Sequence, residues 1–329
     1  MKPGISKCDR SVSWEEVKVN WTLKLRATQY RGDVDWTLIK LDALERYLVA
    51  FNTALQDKPK PTSCFRRIYI DAFAGTGECA VTVSGVELRQ AGSAKRALDV
   101  IPAFDQYVLI DLNERHAEAL QQLADTYPNK RIRILTGDGN QKVSALLKEF
   151  NWKSSRAVLF LDPYGMAVQW STLQTIANTQ AIDIWYLFPL NAVCRQAAHD
   201  LEKVEPYKIR KLNELFGTDQ WLEAFYKEDG QEDLFGGTAQ AGHRRAVSQE
   251  EILRYAQERL KTLFPVVLPP LILPDQGAPY FALFFLSSNP SPKAVSLTKR
   301  IASHLLKMHS HGQLGRQTME VVATDNDLL

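Results

Sequence analysis

The chain has 329 residues, enough for one large or two modest domains around a substantial core. Its apolar fraction of 45% and charged fraction of 24% are ordinary for a globular protein, and a formal charge of +2 excludes a global attraction to polyanions, so any nucleic-acid surface has to be a local patch. Cys8, Cys64, Cys79 and Cys194 form no metal-binding pair, and neither a signal-peptide core nor a run of about 18 apolar residues occurs; the chain reads as cytoplasmic, with free thiols and no membrane partner.

Residues 1–60 read as an N-terminal arm and helix. The arm mixes Trp14, Trp21 and Leu23 with charges, and either packs on the body or forms a tail. From Trp36 onward, Ile39, Ala43, Leu44, Tyr47, Leu48 and Phe51 recur at steps of three and four, which predicts an amphipathic helix ending before Pro59 and Pro61. Residues 61–190 then alternate short apolar runs with helical stretches. Strands are predicted at 68–72, 106–110, 132–135, 157–161 and 182–188, with helices between them, for example at 115–127 and 141–150. Runs lacking polar alternation suit a parallel sheet covered on both faces, so the fold class is α/β, doubly wound and mostly parallel. Residues 191–246 are polar and helical, with Trp221, Phe225 and Tyr226 on one side, and read as a helical insertion over the cleft mouth. Residues 247–329 complete the sheet: a helix at 247–263, a strand at 280–286, a helix at 294–308 and a tail.

The candidate chemistry lies at four predicted strand ends. Asp71, Phe73, Gly75 and Gly77 form an acidic turn whose glycines let backbone approach a ligand closely. Phe73 stands where a dinucleotide fingerprint wants its first glycine, and no Gly-Lys-Ser/Thr follows, which excludes a P-loop. Asp111 ends the second strand, where an acid accepts hydrogen bonds from a ribose diol; the alternative is a cap on the helix starting near Asn113. The interval from Gly75 exceeds the usual ~20 residues, so residues 79–92 form an extra excursion. Asp138, between Gly137 and Gly139, is placed to receive an exocyclic amine of an adenine ring; the alternative is a helix cap by Asp138 or Asn140.

Asp162, Pro163, Tyr164 and Gly165 are the sharper element. A carboxylate and a proline carbonyl side by side can orient an exocyclic amine, while Tyr164 offers a stacking face for a base out of its stack. Catalysis there comes from positioning rather than from a covalent step; the alternative is an ordinary Asp-Pro turn. Lys40 reaches the cleft or is a solvated lysine. The residues from Gly242 to Arg245 meet phosphate or form a charged loop, and His309 with His311 bind metal or lie in a solvated tail.

The turn D-x-F-x-G-x-G followed by Asp162, Pro163 and Tyr164 resembles the Rossmann-like, S-adenosylmethionine-dependent amino-methyltransferases of DNA and RNA bases. That resemblance implies S-adenosylmethionine as cofactor. Asp71, Phe73, Gly75 and Gly77 would lie around its methionyl part, Asp111 at the ribose and Asp138 at the adenine, with Asp162, Pro163 and Tyr164 facing the target amine. The second proline of D-P-P-Y is absent. D-P-[FY]-G is closer to the loop of the tRNA guanine-N2 dimethyltransferases, which favours RNA over DNA. Over roughly residues 36–300 the chain resembles the three-Cys-motif partner proteins, bacterial proteins of methyltransferase-like fold named for a neighbouring gene product that holds the cysteine motif. The expected function is methyl transfer to an exocyclic nucleobase amine. The rival is a non-catalytic partner protein that binds the neighbouring product or nucleic acid, and a third reading is a small-molecule methyltransferase.

Overall fold

Successive residues of a strand face opposite sides of a sheet, and in the central strands of this chain both sets are apolar. In the computed structural model, which describes residues 36–56, 65–83, 86–229, 242–275 and 278–310, Ile68 and Ile70 of β1 (Arg66–Asp71) enter one core and Tyr69 enters another. The same division holds in β4 (Gln106–Asp111), where Val108 and Ile110 oppose Tyr107 and Leu109. It holds again in β6 (Ser155–Leu161) and β7 (Ile182–Phe188). Strands of this composition have to be covered on both faces.

β1 pairs in parallel with β4 on one side and with β6 on the other; β4 continues to β5 (Ile132–Thr136), and β6 to β7. β12 (Ala278–Ser287) returns antiparallel along β7, and pairs antiparallel with β10 (Val266–Val267) and β11 (Leu271–Asp275). The order is β5-β4-β1-β6-β7-β12-β10, with β11 also beside β12. The chain runs outward through β1, β4 and β5, then crosses back to β6. The strand order therefore reverses between β1 and β6, and a doubly wound sheet opens its binding crevice at the carboxyl ends of such a pair.

On one face lie α1 (Trp36–Leu55), α2 (Ser93–Asp99), α3 (Glu114–Asp125) and α10 (Pro292–Ser310), which bury Leu44, Tyr47, Leu98, Leu120 and Leu305 against the sheet. The other face carries α4 (Gly139–Leu146), α5 (Trp170–Asn178), α6 (Leu190–Gln196) and α9 (Gln249–Lys261). The predicted excursion is an antiparallel hairpin, β2 (Glu78–Val83) with β3 (Val86–Ala91), closed at its base where the Gly92 N–H donates to the Gly77 carbonyl at 2.8 Å. Among the described residues no helix is long and apolar enough to cross a membrane.

Two expectations change. The segment after β7 contributes α6, α7 (Pro206–Phe216) and α8 (Trp221–Phe225), but Leu212, Phe216, Trp221 and Phe225 join the core of the sheet face. It packs as a layer of the fold on that face. It ends in a hairpin, β8 (Tyr226–Asp229) with β9 (Gly242–Arg245), so the residues from Gly242 to Arg245 are strand. Arg245 donates to the carbonyls of Cys194 and Ala197 at 2.7 Å each, and thereby serves the end of α6 rather than a phosphate. His309 is buried in the last turn of α10, its Nε2 3.2 Å from Asp42 Oδ2, and not in a solvated tail. His311 lies outside the described residues.

Candidate active site

The glycine turn leaves β1 at the strand-order reversal. Gly75 and Gly77 adopt positive φ angles, +60° and +85°, which a side chain resists. A Cβ on Gly75 would meet nothing within 4 Å, so the turn leaves an open cradle there. Asp71 has a different place from the one expected of it. Its carboxylate is fully buried, accepts from Tyr69 Oη at 3.0 Å and the Phe73 N–H at 3.3 Å, and bonds the Ser93 hydroxyl. Burial pushes its pKa up to about 6; the bonds from Ser93 and Tyr69 hold it down and the Asp162 charge adds to the rise. Asp71 thus braces the turn from behind instead of facing a ligand. Phe73 is half-buried, and Gly139 comes so close that a Cβ there would lie 3.1 Å from its ring.

Asp111 crosses from β4 to the turn. Its Oδ2 accepts from the Gly75 N–H at 2.9 Å, and its Oδ1 accepts from the Asn113 N–H at 2.9 Å and lies 3.1 Å from His116 Nδ1. The helix cap itself belongs to Asn113, which accepts from the Arg115 N–H. A carboxylate oxygen carries two lone pairs, so Oδ2 keeps one for a hydroxyl. The neighbouring Leu112 is 73% exposed, an apolar surface standing at the crevice beside an acid. Asp138 caps α4, its Oδ1 accepting from the Gln141 N–H at 3.0 Å. Here the cap is realised, and one oxygen is engaged by it.

The Asp162 loop leaves β6 on the far side of the reversal. Pro163 is buried, whereas Tyr164 is 99% exposed. The loop is anchored by Asn140, a buried side chain at the start of α4. It donates to the Ala167 carbonyl at 2.8 Å and accepts from the Gln169 N–H and the Thr172 hydroxyl, both at 2.9 Å. Lys40 of α1 reaches the crevice: its Nζ donates to Asp162 Oδ2 at 2.5 Å, with the two side chains 8% and 23% exposed. The same ammonium lies 4.8 Å from the centroid of the Trp36 ring.

The strand-end residues expected to act together do converge at one edge of the sheet, as β1, β4, β5 and β6 are neighbours there. Leu112 and Asn140 add what reading along the chain did not assign, and of the two places offered for Lys40 the crevice is the one it takes. Lys40 carried a weak signal, a lysine inside an otherwise apolar helical stripe. Leu112 carried another, an apolar residue directly after a strand-ending acid. Asn140 carried none beyond a possible cap, because its partners lie 27 to 32 residues away.

No family model and no curated protein matches the chain. Several solved structures align with it. A Legionella pneumophila protein does so with 13% identity, 85% of this chain, 96% of its own and a TM-score of 0.46. An S-adenosylmethionine-dependent methyltransferase from Clostridium acetobutylicum does so with 13% identity, 78% and 92%, and a TM-score of 0.37. Spermidine synthase from Thermotoga maritima follows with 11% identity, 81% and 64%, and a TM-score of 0.36. At these scores the likeness carries no functional weight. The chain's own strand order defines a doubly wound, mostly parallel, Rossmann-like α/β protein.

Proposed function

We propose that the protein is an S-adenosylmethionine-dependent methyltransferase acting on an exocyclic amine of a nucleobase, in RNA rather than DNA. One observation carries this reading: Tyr164, wholly exposed, stands next to the partly buried carboxylate of Asp162 at the strand-order reversal, across from a glycine turn. An exposed tyrosine in that place offers a stacking face, and the carboxylate beside it an acceptor for an amine N–H. The residues also fit the cofactor. Gly75 supplies an open cradle, Asp111 a spare acceptor for a ribose hydroxyl, Leu112 an apolar surface for a ring, and Asp138 a carboxylate for an amino group. Bound there, S-adenosylmethionine supplies an electrophilic methyl group on a sulfonium. The residues of the chain orient the acceptor: Asp162 and the Pro163 carbonyl align the amine lone pair, and Tyr164 holds the base.

The test is transfer of labelled methyl from S-adenosylmethionine to total RNA and to total DNA, with Asp162→Ala as control. Label in RNA that the variant reduces at least about a hundredfold is expected; label that persists in the variant removes Asp162 from the mechanism. Absence of cofactor binding in calorimetry sinks the reading as a whole.

A second reading has its own observation. Lys40 already neutralises Asp162, and a carboxylate so engaged is a poorer acceptor for an amine. This favours a non-catalytic, cytoplasmic partner protein of the three-Cys-motif partner type, which keeps the cofactor site and binds a protein with a three-Cys motif or nucleic acid, with residues 191–246 supplying the contacts. Methyl transfer to RNA decides between the two.

A further inference from the structure

The N-terminal arm joins the described fold beside a sheet edge that offers it an apolar groove. From Val17 to Leu25 every odd residue is apolar and every even one polar: Val17, Val19, Trp21, Leu23 and Leu25 alternate with Lys18, Asn20, Thr22 and Lys24. On a strand the five apolar side chains share one side, whereas on a helix Val19 and Leu23 would lie away from Val17, Trp21 and Leu25. Alternation of this kind calls for an extended segment with one side buried. These residues precede the described ones, which begin at Trp36.

A surface that suits such a segment lies where the arm joins the fold. β11 pairs with β12 along one edge, and among the described residues no strand pairs with its other edge. Pro274 within β11 agrees with an edge position, since proline cannot donate to a ladder. Beside β11 runs a mainly apolar groove of about 600 Å³, walled by Ile39 of α1, Leu271 and Leu273 of β11, and Leu306 and His309 of α10. His309 is buried, and its Nδ1 has no hydrogen-bond partner among the described residues. A buried polar atom calls for a partner, and of the five apolar arm residues Trp21 alone carries a side-chain N–H. α1 begins at the same place: the Trp36 ring lies 4.7 Å from that of Phe281, whose ladder partner in β11 is Leu273. Residues 26–35 can span at most about 35 Å, several times the ~4.8 Å between neighbouring strands. The alternating run can therefore reach β11 of its own chain.

We propose that residues 17–25 lie extended along the free edge of β11, with Val17, Val19, Trp21, Leu23 and Leu25 closing the groove and Lys18, Asn20, Thr22 and Lys24 turned to water. The occupant is the chain's own arm. Its tether starts within one strand of the edge, so its effective concentration there is of millimolar order, which a second copy does not reach at ordinary protein concentrations. Pairing is confined to the stretch before Pro274, where β11 still has N–H groups to donate. Docked in this way, the arm links the first turn of α1 to the last turn of α10 across β11. It also covers an edge that would otherwise be open to strands of other chains. The docking holds whichever reaction the crevice performs.

The experiment is photo-cross-linking of the full chain with benzoylphenylalanine in place of Trp21, followed by peptide mapping. The bond is expected to form within one chain, to residues 268–274 or 303–309. A bond between two chains at the same residues assigns the groove to the arm of a second copy, and a bond elsewhere, or none, leaves the arm out of the groove; each of these overturns the proposal. Hydrogen exchange gives an independent reading. In the double variant Trp21→Ser/Leu23→Ser the amides of residues 271–273 are expected to exchange at least about tenfold faster than in the wild type, the loss of roughly one buried apolar side chain. The double variant Lys18→Ser/Lys24→Ser is expected to leave them unchanged. Equal exchange in all three proteins overturns the pairing with β11. Should Trp21→Ser/Leu23→Ser fail to fold, as judged by circular dichroism, the cross-link in the otherwise unaltered chain still decides the matter.

Discussion

Asp71 and Asp183 are both buried carboxylates, and burial pushes the pKa of each up to about 6. They are placed at opposite ends of their strands. Asp71 ends β1 behind the glycine turn, whereas Asp183 begins β7, where Tyr47 Oη donates to its Oδ2 at 2.7 Å and Ser287 bonds it from β12. A carboxyl whose pKa lies near 3.8 unfolded and near 6 folded binds its proton more tightly in the folded state, so its contribution falls as pH rises through that window. The difference corresponds to about 3 kcal/mol. Asp183→Asn keeps the acceptor for Tyr47 and removes the titration. Urea unfolding at pH 4 to 7 is therefore expected to show the variant gaining on the wild type by about 2.5 kcal/mol as pH rises, nearly all of it below pH 6.5. A difference that stays flat with pH would mean that Asp183 does not titrate in this window.

At the level of elements, the Asp162 loop is held from two sides. Asn140 ties it to α4, and Trp170, the first residue of α5, anchors its far end against α7 and α9. Arg259 of α9 lies over the Trp170 ring at 4.7 Å and donates to the Phe216 carbonyl at 2.9 Å, closing the end of α7. Gly217 follows with φ +68°, and a Cβ there would stand 2.1 Å from Trp170 Cδ1. Gly217→Ala combines a left-handed backbone cost of about 1–2 kcal/mol with overpacking of about 1–3 kcal/mol, so an unfolding loss of about 2–5 kcal/mol is expected in urea titration. A loss below about 0.5 kcal/mol, the range of an inert surface change, would show that Trp170 moves aside freely. Sequence reading recognised the helix over Trp36–Leu55 from its apolar period and allowed Lys40 a place in the cleft, but it could not name the partner, which lies 122 residues away. It also left the residues from Gly242 to Arg245 as a phosphate-meeting patch or a charged loop, since two arginines and a histidine give no period-two apolar alternation by which to recognise a strand.

For the molecule as a whole, the two-faced apolar strands dictate a sheet buried between helical layers, and this arrangement sets a gradient of stability. β1, β6 and β7 are paired on both edges and covered on both faces, so their amides are expected to exchange hydrogen only through global unfolding. The β2–β3 and β8–β9 hairpins form two-stranded sheets of their own and should exchange by local opening, at least about a hundredfold faster. Exchange measured by mass spectrometry checks this. Equal protection in the hairpins and in β6 would mean that they belong to the same cooperative unit.

The sequence by itself determined the α/β class, the five parallel strands close to their observed bounds, the excursion after the glycine turn, and the convergence of Asp111, Asp138 and Asp162 on one sheet edge. These follow from local periodicity, and from the rule that successive parallel strands present their carboxyl ends on the same side. Only the tertiary structure decided which of these carboxylates faces the crevice and what meets it there. Asp71 turns inward to Tyr69 and Ser93, Asp138 is shared with a helix cap, and Asp162 is held by a lysine from a helix outside the repeat. Those choices rest on contacts between side chains far apart in the chain, where burial and countercharge, rather than period or spacing, select the partner.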